Sequence, residues 1–230
     1  MIRMNTAKRA GRLMALAGAA FVGIAATGTP WHATVTESDR AQTIGNPEAE
    51  LRLTEFVSYT CPHCATFTMQ GEPPLQLAYI GSGKLKMEVR SVIRNDIDLV
   101  ATMLAQCGDS DKFIRNHTMF MLTQRSWLPV AQRANQGQIA RWTGPDKYAA
   151  RRSIASDLGY YALMESRGYS RTDTDRCLAD QAVADRLRAN TDADFEEFGV
   201  QSTPSFAIDG QLLEGVHEWR TLESALNDRF

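Results

Sequence analysis

Two cysteines separated by two residues, Cys61-Pro62-His63-Cys64, stand inside the stretch FVSYTCPHCATF, residues 56–67. Such a pair can supply half of a zinc site, close a small structural loop, or form a disulfide that is made and broken in turn. A structural zinc site needs two more ligands at short spacing. Cys107 and Cys177 have no Cys or His within four residues, and His117 and His217 stand alone, so no metal is expected. A static bridge across two intervening residues constrains the unfolded chain little. The spacing therefore points to redox chemistry, with the disulfide itself as the only redox group and no cofactor.

Thiol chemistry needs a thiolate, and a free cysteine with pKa ~8.5 is mostly protonated at neutral pH. Cys61 falls where a helix should begin. The unpaired N–H groups and dipole of a helix N-terminus favour negative charge there, and a protonated His63 would add to that field. A depression of about three pH units would favour the thiolate by ~4 kcal/mol. Because the thiolate exists only in the reduced form, the same preference would raise the reduction potential by about 90 mV. Cys64, one turn further in, is the more shielded sulfur and suits the resolving role.

The surrounding pattern supplies the elements that would hold such a pair. Residues 50–59 read as a strand that becomes buried at its end. A helix should follow from Cys61 through Ile80, with Pro62 in its first turn and a break or kink at Pro73 and Pro74. Residues 84–93 alternate as the next strand, giving a parallel βαβ unit. From 97 to 198 the periodicity is helical. Ile97, Val100, Leu104 and Cys107 fall on one buried stripe, Cys177 follows in a short capped turn, and residues 181–198 form a last long helix closed by Gly199. Strand character returns in residues 205–216, with Asp209-Gly210 as a two-residue hairpin turn, and Trp219, Leu222 and Leu226 mark a C-terminal helix. The expected class is α/β, a mixed sheet carrying an inserted all-helical lobe.

The N-terminus is of a different kind. Arg3, Lys8, Arg9 and Arg12 precede an uncharged apolar run of 14 residues, 13–26, and ATG at 26–28 offers a cleavage site. Residues 1–33 therefore read as a secretory signal, or as an N-terminal anchor if uncleaved. Without them the chain holds 21 basic and 27 acidic residues, net −6, which argues against a nucleic-acid partner. In an exported chain the four cysteines should pair. Only Cys61 and Cys64 are close in sequence, which leaves Cys107 with Cys177 as the other candidate structural disulfide. Two separate buried thiols are the alternative.

At these residues the chain resembles the DsbA family of thioredoxin-fold thiol–disulfide oxidoreductases. The resemblance rests on TIGNPEAELRLTEFVSYTCPHCATF, on the helical insert, and on GVQSTPSFAIDG at 199–210. It implies a thioredoxin-like domain from 34–96 and 199–230, interrupted by a helical insertion at 97–198. It implies that Cys61 exchanges with substrate, Cys64 resolves, and Pro62 and His63 tune the potential. Pro204, expected cis, would lie against the disulfide while Thr203 pairs with an extended substrate segment, and Glu55 would be the buried proton acceptor near Cys64. An outward-facing Glu55 on an alternating strand is the plainer reading. The implied activity is a periplasmic, monomeric oxidase that donates its disulfide to folding exported proteins and is recharged by a DsbB-like, quinone-linked thiol oxidase of the membrane. Thr203 departs from the valine common in the oxidases and matches the threonine common in isomerases. Isomerase or reductase activity is thus the first alternative, and a non-enzymatic metal-binding or thiol-chaperone module the second. His117 reads as a hydrogen-bonded core residue and His217 as solvated surface.

Overall fold

The computed structural model describes Met1 and residues 29–230. The apolar leader expected at 13–26 lies outside the described residues. At the centre of the sheet β3 (Leu51–Val57) and β4 (Leu85–Ser91) run parallel. The crossover between them begins with α1 (Pro62–Gln70) and α2 (Glu72–Pro74). Pro73 and Pro74 lack the N–H groups that an α-helix needs, and the chain continues in a wider π-helical turn, Leu75–Tyr79. Glu72, the residue before the two prolines, is buried, at 4% exposure.

β5 (Ser205–Ile208) pairs antiparallel with β3, and β6 (Gln211–Leu212) with β5. Their hairpin turns through Asp209 at φ 49° and Gly210 at φ 86°, the left-handed pair that a two-residue turn requires. On the other edge β1 (Val35–Glu37) and β2 (Gln42–Gly45) extend the sheet beside β4, giving the order β1-β2-β4-β3-β5-β6. The hydrophobic pattern does not announce β1 and β2. Strands of three and four residues with polar members are too short for alternation to register, and the pairing of β2 with β4 and of β1 with β2 is what orders them.

Both faces of the sheet are covered. Leu53, Val57 and Phe206 pack with Cys64 and Phe67 of α1, the Phe67 and Phe206 rings 4.7 Å apart. Leu222 and Leu226 of α11 (Trp219–Asn227) join that core. On the other face Phe56, Val92, Val200 and Ala207 pack with Phe198, at the end of α10 (Gln181–Phe198). Asp194, inside α10 and fully buried, ties that helix to the sheet through Arg90 at 3.0 Å and to the β1–β2 turn through Arg40 at 2.6 Å. Both guanidinium groups meet the same oxygen, Oδ1, so the buried side chain is not left without an ionic partner.

Between β4 and β5 lie α3 (Asp96–Ala105), α4 (Phe113–Leu122), α5 (Gln124–Gln132), α6 (Gln136–Trp142), α7 (Lys147–Asp157), α8 (Tyr160–Ser166), α9 (Arg171–Ala179) and α10. Gly159, at φ 74°, separates α7 from α8 within the helical run. Tyr160 stands edge-on to Phe120 and Trp127, with centroids 5.1 and 5.2 Å away. This cluster is continuous with the sheet core under α1, so the helices and the sheet share one interior.

Cys107 and Cys177 are joined by a disulfide, with Cα atoms 5.8 Å apart and a sequence separation of 70. Cys177 lies within α9 rather than in a short turn, because Ser170 and Asp173 form a capping box that starts a full helix there. Closing a loop of that length adds about 4 kcal/mol in the chain-entropy account. Replacing both cysteines by alanine should therefore lower the denaturant midpoint strongly while the Cys61 titration is unchanged. A loss below ~1 kcal/mol would show that helix packing, not the bridge, holds the two segments together.

Candidate active site

Cys61 is the N-cap of α1, with extended backbone at φ −98°, ψ 116°, and Pro62 takes the first helical position. The loop that delivers Cys61 is held from the helical insert. Asp98, in the first turn of α3 and fully buried, accepts from the Tyr59 N–H at 2.8 Å, the Ser58 hydroxyl at 2.6 Å and the Thr60 hydroxyl at 3.1 Å. Gln124, at the start of α5, donates from Nε2 to the carbonyls of Tyr59 at 2.7 Å and Cys61 at 2.9 Å. Five hydrogen bonds from two helices thus fix three residues and the N-cap carbonyl. Burial strengthens each of them, because no water competes.

The two sulfurs differ sharply. Cys64 is fully buried and Cys61 retains 3% exposure, both as free thiols. The Cys61 thiol is lowered to about 5, first by a hydrogen bond from the Cys64 thiol. The Thr203 side chain and the backbone N–H groups of Cys64 and His63 act in the same direction, against the cost of burial. Cys64 moves the opposite way, well above the ordinary thiol range, through burial and through its bond to the Cys61 sulfur. One sulfur is made acidic by keeping the other neutral. His63 has an exposed side chain, and what acts on the Cys61 sulfur is its backbone N–H, not the imidazole charge the sequence suggests.

Across the site the Thr203–Pro204 peptide is cis. The Cys61 thiol donates to the Thr203 carbonyl at 3.0 Å, and the Thr203 hydroxyl is buried with no other partner. His217 is not merely solvated surface: its Nδ1–H donates to the Pro204 carbonyl at 2.7 Å and steadies this loop. Glu55 points inward and is fully buried, so the outward-facing reading is excluded. Its neighbours across the sheet are Val89 and Phe206, and neither of its oxygens has a hydrogen-bond partner. Burial first, and then the Glu72 carboxylate, raise Glu55 well above the usual carboxylate range.

The structure thus brings Cys61, Pro62, His63, Cys64, Thr203 and Pro204 together and sets Glu55 behind them, with Cys107 and Cys177 apart in the insert. Sequence reasoning passed over Asp98, Gln124, Glu72 and the part played by His217. Asp98 carries a local signal, since the Asn95 side chain caps α3 by accepting from the Asp98 N–H. Gln124 carries none. Among the described residues no cluster of three or more His, Cys, Asp or Glu side chains could hold a metal ion.

The Cys61 geometry has a consequence for stability. Folding lowers this thiol from its ordinary 9.0, so the stabilisation of the reduced protein is complete above pH ~9 and is lost as pH falls toward about 5. Cys64, raised by folding, stays protonated across that range, and the disulfide form has no thiol to titrate. The advantage of reduced over oxidised protein in denaturant unfolding should therefore shrink steadily from pH 8 to pH 5. A constant difference would show that Cys61 is not the titrating group.

The family model described as Thioredoxin matches residues 37–228. Among solved structures, the chain is similar to the protein-disulfide isomerase from Novosphingobium aromaticivorans, with 40% identity and TM-score 0.78 over 81% of this chain and 95% of that one. It shares its fold with Wolbachia pipientis alpha-DsbA1, at 19% identity and TM-score 0.64 over 81% and 88% of the two chains. A Rickettsia typhi protein provisionally named a protein-disulfide oxidoreductase is 29% identical over 189 residues, 80% of this chain and 62% of that one. The chain spans about six tenths of the length of its curated Rickettsia relatives. A paired Cys61–Cys64 at a helix N-terminus, a cis-proline loop facing it and a family model spanning nearly all described residues lead to one conclusion: the chain belongs to the thioredoxin family and has its DsbA-like fold with a helical insertion.

Proposed function

We propose that this protein is an exported thiol–disulfide oxidoreductase that passes the Cys61–Cys64 disulfide to folding proteins. The observation that carries this reading is the opposition of the two thiols, Cys61 acidic at about 5 and Cys64 held neutral. A sulfur stabilised as thiolate is a good leaving group, and stabilising the reduced form makes the disulfide a stronger oxidant. In the forward step a substrate thiolate attacks the Cys61 sulfur, the Cys61–Cys64 bond breaks, and Cys64 leaves with the electron pair and takes up a proton. A second substrate thiolate then attacks its partner sulfur in the mixed disulfide and releases Cys61 as thiolate. The substrate loses two electrons and the protein gains them.

The surroundings of the site suit a polypeptide substrate. Beside Pro62 lies a shallow cleft of about 170 Å³ bordered by Ala65, Met69, Met121 and Leu122. Met69 and Leu122 are about half exposed, which offers an apolar rest for an unfolded segment. The loop at Thr203 would pair with the extended backbone of that segment. Re-oxidation is assigned to a quinone-linked, DsbB-like membrane thiol oxidase, the protein acts as a monomer, and no cofactor beyond the disulfide is needed. Export to the periplasm rests on the basic and apolar leader. Among the described residues no helix is long and apolar enough to cross a membrane.

Disulfide isomerisation is a second reading, favoured by Thr203. Its hydroxyl, unpaired except toward the Cys61 sulfur, changes how readily a mixed disulfide is released. Thr203→Val should leave the fold intact and raise the Cys61 thiol titration, with slower release of substrate. Unchanged titration and turnover would reduce Thr203 to a backbone contact. The two readings separate in refolding assays, since an oxidase acts on a reduced protein and an isomerase on a scrambled one. In either assay Cys61→Ser should abolish exchange, and Cys64→Ser should accumulate mixed disulfides through Cys61. Full activity in Cys61→Ser would overturn the proposal.

A further inference from the structure

Four helices of the insert, α3, α6, α7 and α10, border a cavity of about 390 Å³ that disulfide exchange does not use. None of its lining residues belongs to the Cys61 loop, the cis-proline loop or the cleft beside Pro62. The volume is that of a small-molecule site rather than a packing gap. Its apolar wall draws on all four helices, with Leu99 from α3, Trp142 from α6, Ile154 from α7 and Ala184 from α10, each of them buried. The Trp142 indole is held in place by its Nε1–H, which donates to Asp157 at 2.8 Å.

The charged side chains in the cavity are unequally partnered. Arg188 of α10 pairs with Asp96 of α3. Asp185 accepts from Nε2 of Gln181 at 2.8 Å. Arg151 of α7 is only 4% exposed, yet its two hydrogen bonds go to neutral acceptors. Its Nε donates to the Leu178 carbonyl at 2.6 Å, and its Nη1 to Oε1 of Gln181 at 2.9 Å. Among the described residues no carboxylate lies within ion-pair distance of this guanidinium, and Nη2 has no hydrogen-bond partner without being sealed off. The remaining direction open to it is the cavity that Arg151 lines. An arginine stays charged at any working pH, and a buried charge without a counter-ion is costly. Burial holds Arg151 below the ordinary arginine range, and the charges of Asp185, Asp146 and Asp180 offset this only in part.

The charge balance fixes what would complete the site. Lys147, exposed at the start of α7, is a second cation without a carboxylate partner among the described residues. Lys147, Arg151 and Arg188 stand against Asp96 and Asp185, so the lining carries one positive charge in excess. A single negative charge balances it, whereas a dianion would meet the two acids as like charges. Carboxylates are the natural partners of a guanidinium, and the apolar wall calls for a hydrocarbon body beside the charge.

We propose that this cavity binds a monocarboxylate with an apolar body, its carboxylate on Nη2 of Arg151 and its body against Leu99, Trp142 and Ile154. Such a group reaches a protein as a free short-chain acid or as the C-terminal residue of a peptide.

The test follows the Trp142 indole N–H resonance, assigned with Trp142→Phe, as sodium hexanoate is added to the protein. Hexanoate should give saturable shifts with one-to-one stoichiometry. Hexanamide, with the same body and no charge, should bind about tenfold more weakly or worse. N-acetyl-leucine stands for a peptide C-terminus, and the tighter of the two acids names the source. Arg151→Gln should weaken hexanoate by about tenfold, and Arg151→Lys should recover part of the loss. Lys147→Glu changes an exposed side chain, leaves the packing of α7 alone and should weaken binding several-fold. No saturable shift with either acid would overturn the proposal. So would hexanamide binding as well as hexanoate, or inorganic phosphate binding as tightly as either acid. Unchanged hexanoate affinity in every charge variant that folds would overturn it as well.

Discussion

The Cys64 thiol donates a hydrogen bond to the Cys61 sulfur from one turn inside α1, and the chemistry of the site follows from that contact. For Cys61 to hold a negative charge at about pH 5, Cys64 must hold its proton well beyond neutrality. Burial meets both needs at once. The Cys64 position excludes water, which penalises a second thiolate, and the N-cap position of Cys61 leaves its sulfur facing backbone N–H groups. The inequality vanishes when the bond forms, so the energy difference between the two redox states is set by geometry that exists only in one of them.

That geometry is imposed largely from the helical insert. Asp98 and Gln124 belong to α3 and α5, yet their partners are the backbone and hydroxyls of residues 58–61. An Asp98 side chain without these donors would be a buried, unpaired charge. The loop and the insert therefore order one another. The continuous apolar core, running from Leu53 and Phe67 through Phe120 to Tyr160, gives the same coupling a hydrophobic basis. The Cys107–Cys177 bridge ties α9 to the segment just after α3.

A thioredoxin-like core that stores acids pays in stability for their reactivity. Glu55 has no donor at all, and its proton affinity is raised by folding. A carboxyl raised in the folded state contributes stability that is full below its unfolded pKa and is lost as pH rises through its raised folded value. Glu72 is also buried but lies within hydrogen-bond distance of Thr68 and His117.

Much of this was legible along the chain. The CPHC stretch lies between a strand that becomes buried at its end and an amphipathic helix, both local patterns, and Gly199, Asp209 and Gly210 punctuate the chain as their backbone preferences dictate. The helical run from 97 onward and the pairing candidate Cys107 with Cys177 were readable for the same reason. What only tertiary structure decided were relations between residues distant in sequence. Whether Glu55 faced water depended on whether both faces of β3 would be covered, and an alternating strand pattern does not reveal that. Gln124 reaches two carbonyls more than sixty residues away, and His117 meets Tyr59 and Glu72 across three elements. The sequence by itself determined which residues could do redox chemistry, because helix starts, turns and strand periods are local properties of the backbone. The fold alone decided which sulfur is acidic by hydrogen bonding and which carboxyl is buried without a donor, because burial and hydrogen bonding depend on distance in space.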